Sequence, residues 1–315
     1  MAHFQSGSTY NFVDTISGQG NSFFVPEIYS KKVQIALRKA AVAEAVCNTD
    51  YMGEISSFGD TVNIIKEPQI AVADYTRGLA VTSTDLTDQE LVLTVDQAKS
   101  FSFKIDDLEK RFSHVNFQAI AADNAAYALR DAMDSNILAA ISAGATATTG
   151  MGTTGTPIDI GFGSGEVDPL NQMALAAKEL DEANAPEDGR WFVAAPEWYN
   201  QLSNSASKLL SVDFNAGQGS IRNGLVASGL LRGFSMYKSN NLPTNDLSGA
   251  TPAGSATAPE ALFGHMSSTA AASSMNKVET VRDTGTFSDI VRGLMVWGGK
   301  VLRPEVAGKI IYAID

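Results

Sequence analysis

Two stretches of alternating apolar residues constrain the fold of this chain more than any other feature of its sequence. Residues 63–78 read NIIKEPQIAVADYTRG and residues 91–106 read LVLTVDQAKSFSFKID, so each has apolar ends around a polar middle. Alternation with a period of two is typical of a half-buried strand. If Val72 lies beside Leu93–Thr94, then Lys66–Glu67 lie beside Lys99–Ser100 and the two polar middles face each other. The pattern therefore predicts one long two-stranded ribbon with its tip near residues 78–90.

A ribbon of this length needs support from another surface. Each arm has about 16 residues and would span about 50 Å, whereas an isolated two-stranded ribbon is marginally stable in water. Pro68 excludes the first arm from the centre of a sheet, because proline cannot donate a ladder hydrogen bond. We expect the base to pack on its own domain and the outer part on a neighbouring subunit. The base residues are Val62, Ile64, Phe101, Phe103 and Ile105, and the outer residues are Ile70, Val72, Leu91 and Leu93.

The composition excludes several functional classes. A formal net charge of −12 disfavours a protein that grips nucleic acid by neutralising phosphates, and favours simple solubility. The single cysteine, Cys47, excludes an intramolecular disulfide framework and lies where a buried structural thiol is expected. The three histidines, His3, His114 and His265, are dispersed and have no metal-ligand spacing.

The beginning of the chain suggests an arm that becomes ordered on another surface. Residues 1–24 are rich in Gly, Ser, Asn and Gln but also contain scattered aromatic residues. They lack the basic region and apolar core of a signal peptide, and no apolar run approaches the roughly 20 residues of a membrane span. We therefore expect a protein that is made in a reducing cytoplasm.

Helical patterns occupy much of the first two thirds of the chain. One begins at Pro26 and reaches about Val46, with Lys31, Lys32, Arg38 and Lys39 on one face, which favours a solvated surface over one turned towards DNA or an acidic neighbour. A Ser cap, an alanine-rich body and a terminal glycine predict a long helix over 113–144. Asp168–Pro169 predicts the start of a further helix that reaches residue 185.

Strand patterns dominate the remainder. A buried strand is expected at 190–196, where Pro196 then starts a short helix, and another at about 233–238. Residues 145–167 and 244–260 have the composition of loops, and strands are predicted at 261–272, 275–283 and 292–303 before the closing AGKIIYAI. Helices and strands do not alternate regularly, so the predicted class is α+β.

No motif points to a chemical reaction. The segment GFGSGE at 161–166 has neither the glycine spacing nor the Lys of a phosphate-binding loop, and GQGSIRNG at 217–224 fails in the same way. Asp106, Asp107 and Glu109 cluster in KIDDLEKRF without the spacing of a calcium loop, and acidic residues there favour the start of a helix. We therefore predict no catalytic, cofactor-binding or metal-binding residues, and a protein that is not an enzyme.

The order of these parts resembles the major capsid proteins of tailed bacteriophages, which share the Hong Kong 97 fold. The resemblance covers nearly the whole chain and rests on FFVPEIYSKKVQIALRKAAV, GDTVNIIKEPQI and FKIDDLEKRF. It continues in RWFVAAPEWYNQL, GFSMYKSNNLP and FSDIVRGLMVWGGKVLRPEVAGKI.

The resemblance implies a division of the chain into six parts. These are an N-terminal arm (1–25), a first part of a peripheral domain (26–58), an extended two-stranded loop (59–106), a second peripheral part (107–165) with a spine helix at 113–143, an axial domain (166–274), and C-terminal strands that return to the peripheral domain (275–315).

The resemblance also implies a function and a set of partners. The chain would assemble with itself into pentamers and hexamers of an icosahedral shell around double-stranded DNA, with which it would make weak, non-specific contact. A separate scaffolding protein, a portal and a decoration protein would be its partners, and no membrane would be. Lys66 or Lys99 would be the loop lysine if the shell were cross-linked, although the sequence identifies no acceptor for either. Two alternatives remain open: an encapsulin-type nanocompartment shell, and a soluble hydrolase or carbohydrate-binding module.

Overall fold

The computed structural model describes most of the chain from residue 38 onwards. The described residues are 38–50, 61–66, 70, 72, 74, 77, 78, 89–107, 117–146, 149–204, 206, 231–246 and 257–314. The helices are α1 (Ala43–Val46), α2 (Phe117–Gly144), α3 (Pro169–Glu182) and α4 (Pro196–Leu202). The strands are β1 (Thr61–Lys66), β2 (Gln89–Thr94), β3 (Gln97–Asp106), β4 (Ile158–Asp159), β5 (Arg190–Ala194), β6 (Ser235–Lys238), β7 (Thr244–Asp246), β8 (Thr257–Pro259), β9 (Ala261–His265), β10 (Thr269–Arg282), β11 (Ser288–Val301), β12 (Ala307–Ile310) and β13 (Tyr312–Ala313).

Local sequence signals set the limits of the helices. The Asp168 side chain accepts a hydrogen bond of 2.8 Å from the backbone N–H of Leu170, and so caps α3. Proline occupies the first turn of both α3 and α4, where its missing N–H has no helical partner to lose. The helix predicted over 113–144 is confirmed from residue 117, since residues 113–116 lie outside the described residues. The helix predicted from Asp168–Pro169 is confirmed but ends at Glu182 instead of 185, and the short helix predicted from Pro196 is confirmed over 196–202.

Two sheets organise the described residues. One has the order β10-β11-β3 and is antiparallel throughout, with α2 packed against β11. The other has the order β12-β9-β5-β6, in which only β5 and β6 run parallel. The short pairs β1–β2, β7–β8 and β4–β13 complete the fold.

The four-stranded sheet has a core of aromatic side chains. Phe192, Trp198, Phe234, Phe263 and Tyr312 are all buried. The rings of Trp198 and Tyr312 meet edge to face with centroids 5.0 Å apart, so α4 packs directly on the end of the chain near β13. The predicted strand at 190–196 is confirmed as β5, in which every residue is buried.

The core of the other sheet lies between β11 and α2. Ile137 and Ile141 from the helix and Trp297 from the strand are completely buried there. The helix approaches the strand closely, because a side chain added at Gly299 would come within 3.5 Å of Ile137. These contacts hold the face of α2 that carries Ile137 and Ile141 against the sheet.

The predicted ribbon register is wrong. Thr61 pairs with Thr94 and Lys66 with Gln89, so Lys66 is far in register from Lys99 and Ser100. Residues 97–106 form β3, which pairs with β11 instead of continuing the ribbon. The predicted pairing of Val72 with Leu93–Thr94 is also wrong, because Leu93 and Thr94 pair with Val62 and Thr61.

Three further predictions need correction. Residues 38–42 are not helical, so only Ala43–Val46 remains of the described part of the helix predicted from Pro26; residues 26–37 lie outside the described residues. The predicted loop at 244–260 includes the paired strands β7 and β8 at its two ends. A 3-10 turn at Met266–Ser268 divides the strand predicted at 261–272, and β10 runs through residue 274, between two predicted strands.

Candidate interaction surface

The base of the β1–β2 ribbon is anchored on the three-stranded sheet. Leu93 is completely buried against Ala270, Ala272 and Leu302, and Val62, Ile64, Leu91 and Val296 pack around this cluster. The Lys300 ammonium group donates a hydrogen bond of 2.8 Å to the carbonyl oxygen of Val92. The prediction that Val62 and Ile64 pack on their own domain is confirmed. The prediction that Leu91 and Leu93 belong to the outer part is wrong, because both pack in the base.

Where β2 ends, the backbone of residues 94–95 passes directly over Gly298 of β11. A Cβ atom added at Gly298 would lie 2.1 Å from the carbonyl oxygen of Thr94 and 2.8 Å from the Cα atom of Val95. Only glycine leaves room for this crossing, since real Cβ atoms essentially never approach other atoms this closely. After the crossing, the chain continues as β3 at the edge of the same sheet.

Apolar side chains are exposed at the end of β1 and in the segment that follows it. Ile65, Ile70 and Val72 are 79%, 73% and 96% exposed. Gly78 adopts a positive φ of 94° in a turn. The predicted contact of Ile70 and Val72 with a neighbouring subunit stays a prediction.

The β10–β11 hairpin carries a second group of exposed apolar residues. Phe287 is 81% exposed, Val278 59%, Val281 39% and Leu294 36%. Among the described residues, nine large hydrophobic side chains are exposed, and seven of them lie on these two hairpins. Isolated exposed hydrophobic residues are ordinary, but their concentration on two hairpins is typical of an interaction surface.

Hydrogen bonds fix the end of this second hairpin. The Asp283 carboxylate accepts hydrogen bonds from the Gly285 backbone N–H (3.1 Å), the Thr286 hydroxyl (2.6 Å) and the Lys104 ammonium group (2.6 Å). These donors, with that of Lys104 the strongest, hold the pKa of Asp283 well below its usual range. The carbonyl oxygen of Phe287 accepts from the Asp107 backbone N–H at 3.0 Å, which ties the turn to the end of β3.

The segment before α1, residues 38–42, lies along α2 and is bound by side chains of that helix; we call this segment the strap. Arg38 forms an ion pair with Asp123 and lies over the ring of Tyr127, while Lys39 donates its backbone N–H to the Tyr127 hydroxyl at 2.6 Å. Further along the helix, the buried Asp134 carboxylate accepts from the backbone N–H groups of residues 42 and 43 at 2.6 and 2.7 Å. Asn241 donates to the other oxygen of Asp134 at 2.9 Å. The strap therefore satisfies its backbone donors with side chains of α2 in place of helical hydrogen bonds.

Cys47, His265 and the GFGSGE loop, three of the candidate reactive groups, are buried or bound to other groups of the chain. Cys47 is buried, and burial together with the nearby Asp134 charge raises its pKa to about 12. His265 contacts Ser267 through Nδ1 and the Asp188 carbonyl oxygen through Nε2, both at 2.8 Å. In GFGSGE, Glu166 accepts from the Gly163 N–H at 2.5 Å, so the loop closes on its own carboxylate.

The remaining candidates are dispersed. Asp107 forms an ion pair with Arg282, and Lys99 is exposed on β3. His3, His114, Glu109 and residues 217–224 lie outside the described residues, as does the side chain of Lys66. Within the described part of the chain, no three His, Cys, Asp or Glu side chains form a group that could hold a metal ion. The prediction that the chain has no catalytic or cofactor-binding residues stays a prediction.

Sequence reasoning missed the residues at the end of the β10–β11 hairpin. The predicted strands at 275–283 and 292–303 left residues 284–291 as a connection, although strand β11 begins at Ser288. The signal present in the sequence is DTGTF at 283–287, a turn segment that places an aromatic residue between two strands.

No described helix is long and apolar enough to cross a membrane.

The family model for phage capsid proteins matches residues 88–310. No curated protein matches the chain.

Solved structures match the chain over nearly its whole length. A structure from Mycobacterium phage Che8 is 30% identical, covers 91% of this chain and 97% of its own, and has a TM-score of 0.76. The capsid structure of Cyanophage P-SCSP1u is 22% identical, covers 95% and 96%, and has a TM-score of 0.72. The mature capsid of bacteriophage PhiM1 is 17% identical, covers 91% and 92%, and has a TM-score of 0.67. The predicted α+β fold of the Hong Kong 97 type is therefore confirmed.

Proposed function

Because this chain belongs to the phage capsid protein family, we propose that it forms the pentamers and hexamers of an icosahedral shell that encloses double-stranded DNA. Family membership gives the protein a structural role in the capsid shell and a place in the virion. The family match decides against the two alternatives, an encapsulin-type compartment and a soluble hydrolase or carbohydrate-binding module.

The observation that best supports the proposal is the two-stranded ribbon formed by β1 and β2. Its base is fixed on the chain's own sheet by Leu93, which is completely buried, and the segment beyond the base presents Ile70 and Val72 to solvent. A two-stranded ribbon of this kind is stable only when it leans on another surface. The neighbouring subunit provides that surface in our proposal, so the ribbon links adjacent copies of the chain.

The remaining assignments follow from the same proposal. Residues 1–25 form the arm, 166–274 the axial domain, and the rest the peripheral domain apart from the extended loop. The loop, predicted at 59–106, is limited to 59–96 because residues 97–106 form β3 of the three-stranded sheet. Assembly takes place in the host cytoplasm with a separate scaffolding protein and a portal, and a decoration protein binds the finished shell. The net charge of −12 favours weak and non-specific contact with the packaged DNA.

A ribbon-shortening variant tests the proposal. Lys66 pairs with Gln89, so replacing residues 67–88 with Asn-Gly closes the ribbon as a tight hairpin directly after its base. We expect the variant to fold with a thermal unfolding midpoint close to that of the original chain, because the base residues are unchanged. We expect it to form no shells in electron micrographs under conditions in which the original chain assembles, with scaffold present.

A second hairpin offers a matched control. Asp246 pairs with Thr257, so replacing residues 247–256 with Asn-Gly shortens the β7–β8 pair in the same manner. We expect this control to assemble. Shell formation by the ribbon-shortened variant would refute the role of the ribbon, and a stable monomer from the original chain at high concentration, even with scaffold, would refute shell formation itself.

A further inference from the structure

Among the described residues, two exposed large hydrophobic side chains lie outside both hairpins, namely Ile120 and Met266. They are 41% and 42% exposed. Met266 belongs to the 3-10 turn between β9 and β10, and isolated exposed hydrophobic residues of this kind are ordinary. Ile120 differs from it, because it lies in the first turn of α2, the helix along which the strap is bound.

Ile120 continues a line of side chains on one face of α2. An α-helix has 3.6 residues per turn, so side chains three, four or seven positions apart lie on the same face. Steps of three, four and seven residues join the members of this line, which are Ile120, Asp123, Tyr127 and Asp134. The last three members all bind the strap, and Ile120 is the next position towards the beginning of the helix.

The strap follows this line in the direction opposite to that of the helix. Its last residue, Val42, donates its backbone N–H to Asp134 at 2.6 Å. Its first residue, Arg38, forms the ion pair with Asp123, which lies about three turns nearer the beginning of α2. The chain that precedes Arg38 is therefore directed towards Ile120.

The spacing of the contacts gives the register of the strap on the helix. Tyr127 and Asp134 are seven helical residues apart, which is about 10 Å at 1.5 Å per residue. The strap residues that donate to them, 39 and 42, are three residues apart, which is also about 10 Å in an extended chain. Ile120 precedes Tyr127 by the same seven residues, so an extended continuation places residue 36 beside Ile120. Residues 35–37 read Ile-Ala-Leu and lie outside the described residues.

We propose that residues 35–37 of the same chain cover Ile120, so that the strap continues along α2 to the first turn of the helix. This segment is the occupant because it is bonded directly to Arg38, which is held at Asp123, one helical turn from Ile120. A segment tethered at that distance binds at a far higher effective concentration than a separate molecule does. The large apolar side chains of Ile35 and Leu37 also match the chemistry of the exposed isoleucine.

The N-terminal arm then leaves its own subunit at the beginning of α2. Residues 1–34 could reach at most about 120 Å from that point if they were fully extended. The contact with Ile120 lies within one chain, so it exists before assembly, and its test is separate from that of shell formation.

A designed disulfide in the unassembled protein tests the contact. Ala36→Cys combined with Ile120→Cys should form a disulfide within one chain under mild oxidation, which requires Cα atoms within about 7 Å of each other. Peptide mass spectrometry identifies the linked pair and distinguishes it from any product of the buried Cys47. Ala36→Cys combined with Ala126→Cys is the control and should stay reduced, because Ala126 is exposed but lies about 120° around the helix from Ile120.

Three results of this experiment would overturn the proposal: no disulfide in the folded 36–120 variant, equal disulfide formation in the control, or a disulfide that joins two copies of the chain. If the 36–120 variant does not fold, a photoreactive phenylalanine analogue at position 120 replaces it and leaves the strap unchanged. The analogue should attach to residues 35–37 of its own chain, and the same analogue at position 126 should not. Attachment from position 120 mainly to another segment or to a second copy would overturn the proposal, while the proposed function would stand.

Discussion

The close crossing at Gly298 gives the sharpest test of how the ribbon is held. In Gly298→Ala the new Cβ atom would lie 2.1 Å from the Thr94 carbonyl oxygen and 2.8 Å from the Val95 Cα atom. Ordinary van der Waals contact begins at 3.4 Å, so the backbone of residues 94–95 must move by about 1 Å. Both obstructing atoms belong to backbone, and a change of rotamer cannot relieve the clash.

The displaced segment belongs to the ribbon base. Leu93 and Val95 are buried against Ala270, Ala272 and Leu302, so a shift of about 1 Å disturbs a packed cluster. Overpacking of this kind costs about 1–3 kcal/mol of unfolding free energy. The corresponding decrease in the thermal unfolding midpoint is about 2–10 °C for a domain of this size.

The neighbouring glycine provides a matched control. A Cβ atom at Gly299 would lie 3.5 Å from Ile137 Cγ1 and 3.9 Å from the Ala270 carbonyl oxygen, both ordinary contacts. Gly299→Ala should therefore be neutral or slightly stabilising, because alanine restricts the unfolded chain more than glycine does. Scanning calorimetry of the unassembled proteins and counting of shells in micrographs would compare the two variants. Equal stability and equal shell yield of the two variants would refute the argument that the crossing positions the ribbon.

Two further predictions concern the strap and the buried thiol. Asp134→Ala removes the acceptor of two buried backbone N–H groups and one of the two acceptors of the Asn241 amide, and should lower the free energy of unfolding by about 3 kcal/mol in urea titrations. Asp123→Ala, which breaks the exposed ion pair with Arg38, should cost much less. A similar loss in both variants would contradict the role assigned to Asp134. Cys47, with its pKa raised to about 12, should react with a thiol reagent at pH 8 only as fast as the protein opens, so its labelling rate should rise steeply with urea. Rapid labelling without urea would show that the thiol is accessible in the native protein.

The sequence predicted the elements whose signals are local. The cap at Asp168 and the prolines at positions 169 and 196 each act within one helical turn, and the helices they predict are present. The buried strand β5 is equally evident, because residues 191–195 read as an apolar run between Arg190 and Pro196.

The elements that depend on distant partners could not be predicted in the same way. The alternation in residues 91–106 is consistent with pairing to residues 63–78, but the structure pairs Val291 with Phe103 and so uses β11 as the partner. A two-residue period sets the face of a strand and leaves its partner and register open. The residues before α1 have a helical pattern, yet the Tyr127 hydroxyl and the Asp134 carboxylate accept their N–H groups instead. Hydrogen bonds to acceptors from elsewhere in the fold override the intrinsic helix propensity of these residues.

The candidate surface was predictable in part. The exposure of Ile70 and Val72 follows from the ribbon, which the sequence already indicated. The exposed position of Phe287 depends on a turn held by the end of β3, and that contact joins segments far apart in the chain. The domain boundaries at 166 and 274 stay a prediction.

The position of β11 at the centre of its sheet has a consequence for biosynthesis. β3 leaves the ribosome early but has no partner in this sheet until residues 288–301 have been translated, whereas β9 can pair at once with β5, which precedes it in the chain. A chain released before that point lacks the strand on which both β3 and β10 depend. Prematurely terminated products therefore lack the β10–β11 hairpin and cannot form the sheet on which the base of the ribbon is anchored.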